Sequence, residues 1–321
     1  MDCVPGTLRT STVCGDVRMF DNHREQNRIN RVTGFTEYEW NKEVTKMRLK
    51  RRVTFSAAHA YWFADLTLEE NQAYFGRWAS KWGHGHNYVV EVTLEGDVDF
   101  VTGMVVNIVD IDKCLKDHVL SVLSDKHLTY EVEWFKHRLT TLENISLFVV
   151  ESFQCQFKND KAKLVEVKVW ESETLFVTRR VVEGIHMVSL TRCFDFAASH
   201  RLHAPQLSDA ENVVIFGKCN HAAGHGHNYG IEVTVSGEQD SMTGMLVDLE
   251  RLDAVIAEHV MLVFDHKCLN DDVPEFKDVN PTSENLTRVI WNRLVEVIPS
   301  PAKLSRVLVR ETDRNYFEFA G

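Results

Sequence analysis

The phrase GHGHNY stands at Gly83–Tyr88 and again at Gly224–Tyr229, and 225 minus 84 gives an offset of 141 that holds without a gap over a long stretch. It pairs His59 with His200, Glu70-Asn71 with Glu211-Asn212, Phe75-Gly76 with Phe216-Gly217, and TGM at 102 with TGM at 243. It also pairs His118-Val119 with His259-Val260, Leu128 with Leu269, and Thr141, Glu143 and Asn144 with Thr282, Glu284 and Asn285; only near the end does it slip by one, where Glu171 answers Glu311. A repeat of this length means one domain present twice, each copy near the usual domain size. The expected division is an N-terminal extension over 1–47, polar and without apolar period and so read as flexible, then copies over 48–185 and 186–321.

Each copy reads as an antiparallel α+β unit, in the order strand, strand, helix, helix, strand, strand. RRVTFSAAHAYW and TRCFDFAASHRL suit strands, as do NYVVEVTLEG and NYGIEVTVSG, each closing on a glycine turn. Apolar stripes follow at helical spacing, Ile108, Ile111, Leu115, Val119 and Val122 against Leu249, Leu252, Ile256, Val260 and Val263. A second helix opens near a threonine in each copy, with Thr140 and Glu143 at capping-box spacing, and KLVEVKVWE and SRVLVRE are closing strands.

With 36 Lys plus Arg against 47 Asp plus Glu the net charge is -11, which disfavours nucleic acid as a main partner because phosphate neutralisation needs a basic face. No apolar run reaches the length of a membrane span, and the N-terminus lacks the apolar core of a signal peptide, so the expected location is cytoplasmic. Seven cysteines without a CxxC pair argue against a disulfide framework or a thiolate zinc site.

In a strand, alternate residues share a face, so His84 and His86 point one way, as do His225 and His227. His59 or His200 completes a set of three imidazoles if the two first strands pair. An isolated HxH is as readily a solvated strand face; two copies, each with a third histidine at the same internal distance, favour a metal. Three nitrogen ligands and one open position describe catalytic zinc. Such an ion makes a neighbouring C–H acidic, and a base must then remove the proton. Cys219, six residues before His225, is the candidate base, with Asp265-His266 as the pair that orients it.

From FDFAASHRLH through FGKCNHAAGHGHNY, TGMLVDLERL, FDHKCLN, PTSENL and VRETD, the second copy resembles the 6-pyruvoyl-tetrahydropterin synthase family over nearly its full length. That resemblance implies a tunnelling fold, four-stranded antiparallel units joined as trimeric rings that stack in pairs, here a trimer of two-domain chains forming a pseudo-hexamer. It implies zinc on His200, His225 and His227, and a triad of Cys219, Asp265 and His266 assembled across a subunit contact. Glu311 would anchor the pterin, with Thr282 and Glu284 near the same pocket. The implied substrate is 7,8-dihydroneopterin triphosphate, which loses triphosphate to give 6-pyruvoyl-tetrahydropterin without an external redox cofactor. The alternative within the family is 6-carboxy-tetrahydropterin synthesis for queuosine; outside catalysis, the alternative is a protein that only binds zinc and pterin.

Applying the offset to the triad maps Cys219 to Trp78, Asp265 to Ser124 and His266 to Asp125, while His59, His84, His86 and Glu171 persist. The first copy is therefore expected to keep one Zn2+ and lose the base. Asp125 and His127 are a conceivable substitute dyad, or simply polar residues after a helix. If like copies assemble with like, one ring has every complete site; mixed rings would set Cys219 against Ser124 and Asp125.

Overall fold

The long strands alternate apolar and polar residues, and the computed structural model, which describes residues 46–321, joins them into one sheet. Copy 1 supplies β1 (Met47–His59), β2 (His84–Gly96), the two-residue β3 (Lys126–His127), β4 (Ala162–Ser172) and β5 (Leu175–Val182). Copy 2 supplies β6 (Ile185–His200), β7 (His225–Gly237), β8 (Lys267–Cys268), β9 (Lys303–Thr312) and β10 (Asn315–Ala320). The order is β10-β9-β7-β6-β5-β4-β2-β1-β3, with β8 set beside β6. The long strands pair antiparallel, and the two short strands lie parallel to β1 and β6. The extension read over 1–47 lies outside the described residues apart from Lys46 and Met47, and β1 opens at Met47.

β5 and β6 meet along their whole shared length, from Leu175 opposite Arg192 to Val182 opposite Ile185. The two copies of one chain therefore lie side by side in a continuous sheet.

One face of the sheet carries the helices α1 (Leu68–Phe75), α2 (Ile108–Leu115), α3 (Leu142–Gln156) and their counterparts α4 (Asp209–Phe216), α5 (Leu249–Ile256) and α6 (Ser283–Leu294). Tyr88, Val90, Val92 and Leu94 of β2 are fully buried on that side, each such aliphatic side chain contributing about 1.5–3 kcal/mol. Glu91 of the same strand faces the other way and takes Lys50 at 3.0 Å and Arg52 at 2.8 Å. The buried residues Ile111, Leu115, Val119 and Leu123 recur every fourth position. A straight α-helix would carry that row around its axis. A π-helical turn over Lys116–Leu120 absorbs the drift, and Ala257–Met261 does the same in copy 2.

Two readings of the helices need correction. α1 and α4 stand between the first two strands of each copy, where no helix was expected; each opens on a true capping box, Thr67 with Glu70 and Ser208 with Glu211. The cap of α3 is Thr141, whose side chain accepts from Asn144 N, so Thr140 and Glu143 form no capping box. Among the described residues no helix is long and apolar enough to cross a membrane.

Candidate active site

Pairing of the first two strands sets His59 opposite His84 in copy 1 and His200 opposite His225 in copy 2. Close approach depends on glycine. A side chain at Gly85 would meet Ala57 O at 3.2 Å and one at Gly226 would meet Ala198 O at 3.1 Å; Gly83 and Gly224, both at φ 69, leave room for the carbonyls of His59 and His200. His59, His84 and His86 then bring one ligand atom each within 4.8 Å of one another, and His200, His225 and His227 do the same.

The chemistry of these donors fits a metal. Nδ1 of His59 donates to Thr140 O at 2.9 Å and Nδ1 of His200 to Pro281 O at 2.8 Å, which leaves Nε2 of each as a lone pair aimed into its cluster. There His59 Nε2 faces His84 Nε2 at 3.3 Å, and His200 Nε2 faces His225 Nε2 at 3.2 Å. Burial holds His59 down at about 3 and His86 at about 4, and lowers the other four imidazoles as well, so all six are neutral ligands at ordinary pH. His86 Nε2 is buried without a hydrogen-bond partner, a lone pair that a cation could take.

The carboxylates above the two clusters differ. Glu311, at the end of β9, accepts from Ser283 Oγ at 2.7 Å and Asn315 Nδ2 at 3.0 Å, with His227 Nε2 at 4.0 Å. Burial works against its charge, but Asn315 and Ser283 donate to it and His227 adds attraction, so its pKa is net lowered. At the positions of Ser283 and Asn315, copy 1 has Leu142 and Leu175. Glu171 keeps only His86 Nε2, at 3.4 Å; its Oε2 is buried and unpartnered, and burial pushes its carboxyl up to about 7. Ser283 and Asn315 escaped the sequence reading because it followed identities between the copies; the signal was a pair of differences, polar in one copy and leucine in the other.

Cys219 lies in the short turn Gly217–Asn220 after α4. In its place Trp78 sets its ring 6.3 Å from that of His84, with Nε1 buried and unpartnered. Asp265 and His266 form a pair at 2.9 Å, and Asp265 Oδ1 also accepts from Ala197 N at 2.9 Å, contacts that lower its carboxyl pKa. Neither is hydrogen-bonded to Cys219 within the chain. His266 (φ 57) and its counterpart Asp125 (φ 59) hold left-handed backbone, strain that persists in both copies. Thr282 caps α6 by accepting from Asn285 N, while Glu284 in the first turn is exposed.

Fold and site together define a duplicated α+β protein with two histidine clusters that could each hold a metal beneath a carboxylate. The model of the family described as 6-pyruvoyl tetrahydropterin synthase matches residues 48–181 and 189–321, and the chain belongs to that family as a tandem duplication. A 6-pyruvoyl tetrahydrobiopterin synthase of Poecilia reticulata is 45% identical over 132 residues, 41% of this chain and 89% of the relative. Its Homo sapiens counterpart is 47% identical over 132 residues, 41% of this chain and 90% of the relative. A protein of Archaeoglobus fulgidus described as a putative 6-carboxy-5,6,7,8-tetrahydropterin synthase is 34% identical over 94 residues, 29% of this chain and 73% of the relative.

Proposed function

We propose that the chain is a 6-pyruvoyl-tetrahydropterin synthase, a lyase acting on 7,8-dihydroneopterin triphosphate, with residues 186–321 as the working unit and 48–185 as a unit that keeps a metal and lacks the base. The observation that carries this is the difference at one position, Cys219 in the turn after α4 in copy 2 and Trp78, 6.3 Å from the His84 ring, in copy 1. His200, His225 and His227 would hold Zn2+, and the equivalent set of copy 1 a second ion. When bound, the ion supplies a Lewis acid for the substrate's side-chain oxygens and acidifies the adjoining C–H bonds.

The protein's own groups do the rest. The charge of Glu311 is fixed by Ser283 and Asn315, so it accepts two N–H groups of the pterin ring and orients the substrate's side chain toward the histidines. Thr282 and Glu284 border the same pocket. Cys219 is the base that takes the carbon-bound proton; the C–O bond to triphosphate breaks, and tautomerisation gives the pyruvoyl side chain with no external oxidant. The higher identity to the pyruvoyl-type relatives supports this product over the carboxy one. Incubation of the purified protein with 7,8-dihydroneopterin triphosphate should yield a product with the mass of 6-pyruvoyl-tetrahydropterin. A carboxy-tetrahydropterin mass, or no product, would refute the assignment.

A further inference from the structure

Next to the copy-2 histidine set lies a cavity of about 540 Å³, between residues 199–206 at the end of β6 and residues 276–281 before α6. His200 lines it, and so does Pro281, whose carbonyl accepts from that imidazole. The half-buried part of its wall is Arg201, His203, Asn270 and Asn280, while the carboxylates Asp271 and Asp278 stand with Lys277 on the exposed rim. The wall thus carries a fixed positive charge and no negative one.

Arg201 is held from both ends. Asn270 takes its backbone, accepting from Arg201 N at 2.7 Å and donating to Arg201 O at 2.9 Å. Its guanidinium donates from Nε to Asn220 O and from Nη2 to Asn220 Oδ1, both at 3.1 Å, and Nη2 stands 3.3 Å from His203 Nδ1. These acceptors are neutral, so among the described residues no carboxylate offsets the charge, and Nη1 keeps both its N–H groups for a ligand. Asn220 follows Cys219, and Leu202 N donates to Cys219 O at 2.9 Å. The cavity wall and the turn of the candidate base are therefore one hydrogen-bonded unit.

The same place is built differently in copy 1. Arg201, His203, Asn220 and Asn280 correspond to Ala60, Trp62, Ala79 and Leu139. Ala60 keeps the backbone pin, donating from N to Thr129 Oγ1 at 2.9 Å, and is wholly buried. The strip beside it is latched: Tyr130 OH donates to Lys81 O, His127 Nε2 donates to Trp82 O at 3.2 Å, and the two rings lie 4.3 Å apart. In copy 2 that strip is Ala222-Ala223 on the cavity wall, and the residues at the latch positions are Cys268 and Asp271, where Cys268 Sγ donates to Asp271 Oδ2 at 3.4 Å instead. The copy without the cysteine is thus also the copy without the arginine.

We propose that this cavity seats the triphosphate of the substrate, with Arg201 binding the leaving group, and that copy 1 has lost the seat. The choice of ligand rests on the synthase reading. Glu311 stands 4.0 Å from His227, one member of the histidine set, and His200, another member, lines the cavity. A pterin held at Glu311 with its side chain over the histidines runs its phosphates toward Arg201. A guanidinium offers a planar fork of N–H donors that matches phosphate oxygens. When Cys219 takes the proton and the C–O bond breaks, the bond pair leaves on the triphosphate oxygen, and the charge of Arg201 faces it.

Calorimetric titration of the full-length, metal-loaded protein with inorganic tripolyphosphate, and separately with 7,8-dihydroneopterin, tests this, with metal content checked after each run. The expected result is one tripolyphosphate per chain, its affinity at least about 10-fold weaker in Arg201→Gln and intermediate in Arg201→Lys, which keeps the charge without the fork. The affinity for 7,8-dihydroneopterin, which lacks phosphate, should stay within about twofold in both variants. Unchanged tripolyphosphate affinity in Arg201→Gln, an equal loss for both ligands, or two tripolyphosphates per chain, as binding to the ion of each histidine set would give, overturns the proposal. If Arg201→Gln does not fold, His203→Trp, which installs the copy-1 residue, takes its place with the same two readouts. Turnover separates this from the synthase reading: wild-type product with an unchanged KM in Arg201→Gln overturns the seat and leaves the synthase. Arg201-dependent tripolyphosphate binding without any wild-type product removes the synthase reading and leaves a polyphosphate site.

Discussion

Two histidine clusters sit on one scaffold with the same strand register, the same glycines and the same carbonyl behind the first imidazole, yet their surroundings have diverged. In copy 2 the carboxylate Glu311 accepts from two donors that lower its pKa, and the turn after α4 carries a cysteine; in copy 1 both donors are leucines, Glu171 is buried and raised to about 7, and a tryptophan ring lies 6.3 Å from that of His84. The histidine set and the side chains around it thus vary independently between the copies. Six imidazoles are held by backbone geometry that a duplicated fold keeps automatically, whereas the base and the carboxylate's donors each depend on one side chain.

The comparison can be broken most severely at the metals. Elemental analysis should find two ions per chain in the wild type, one in His84→Ala and one in His225→Ala, with turnover lost below detection only in His225→Ala, because an open three-histidine site does not hold its ion with two ligands. Equal loss of turnover in both variants would place chemistry in both copies.

Next in size is Glu311→Gln, which replaces a charged acceptor by a group that cannot accept both pterin N–H bonds. Its kcat/KM should fall about 100-fold, roughly 2–3 kcal/mol of a charge-assisted interaction. A fall below threefold would remove Glu311 from the pocket.

Glu171 offers a test in stability. Its folded pKa, about 7, lies above the ordinary 4.5, so the folded state binds the proton more tightly than the unfolded one. Its contribution is intact below about pH 4.5 and is lost as pH rises toward 7, the reverse of a salt-bridged carboxylate. In metal-stripped protein, Glu171→Gln should therefore gain about 1–3 kcal/mol over wild type at pH 8 and little at pH 4.5, read from urea unfolding. The smallest effect expected is that of Asn315→Leu, which gives Glu311 the copy-1 neighbour: about 1 kcal/mol of lost hydrogen bonding and a rise in the Glu311 pKa, visible in the pH dependence of pterin binding.

Much of this was legible in residue order. Strand alternation placed His84 with His86, and the offset transferred every ligand from one copy to the other. The short helix Leu68–Phe75 was missed because its eight residues bury only Asn71 and Phe75, too few for an apolar period. Thr140 was misread as a cap because Thr141 beside it is an equally good one, and only the backbone decides which hydroxyl meets Asn144 N. The side of β6 on which Asp265-His266 lies was beyond reach as well. A strand has two edges, and pattern within the strand reports its faces, not its edges.

The central claim is that the second copy alone runs the reaction, through Cys219. Single-turnover measurement of product from 7,8-dihydroneopterin triphosphate by Cys219→Ala, with metal content checked at the wild-type level, tests it most directly. The account predicts a rate lower by at least about 1,000-fold, the scale of losing a general base. A rate within a few-fold of wild type, with both ions in place, would contradict it.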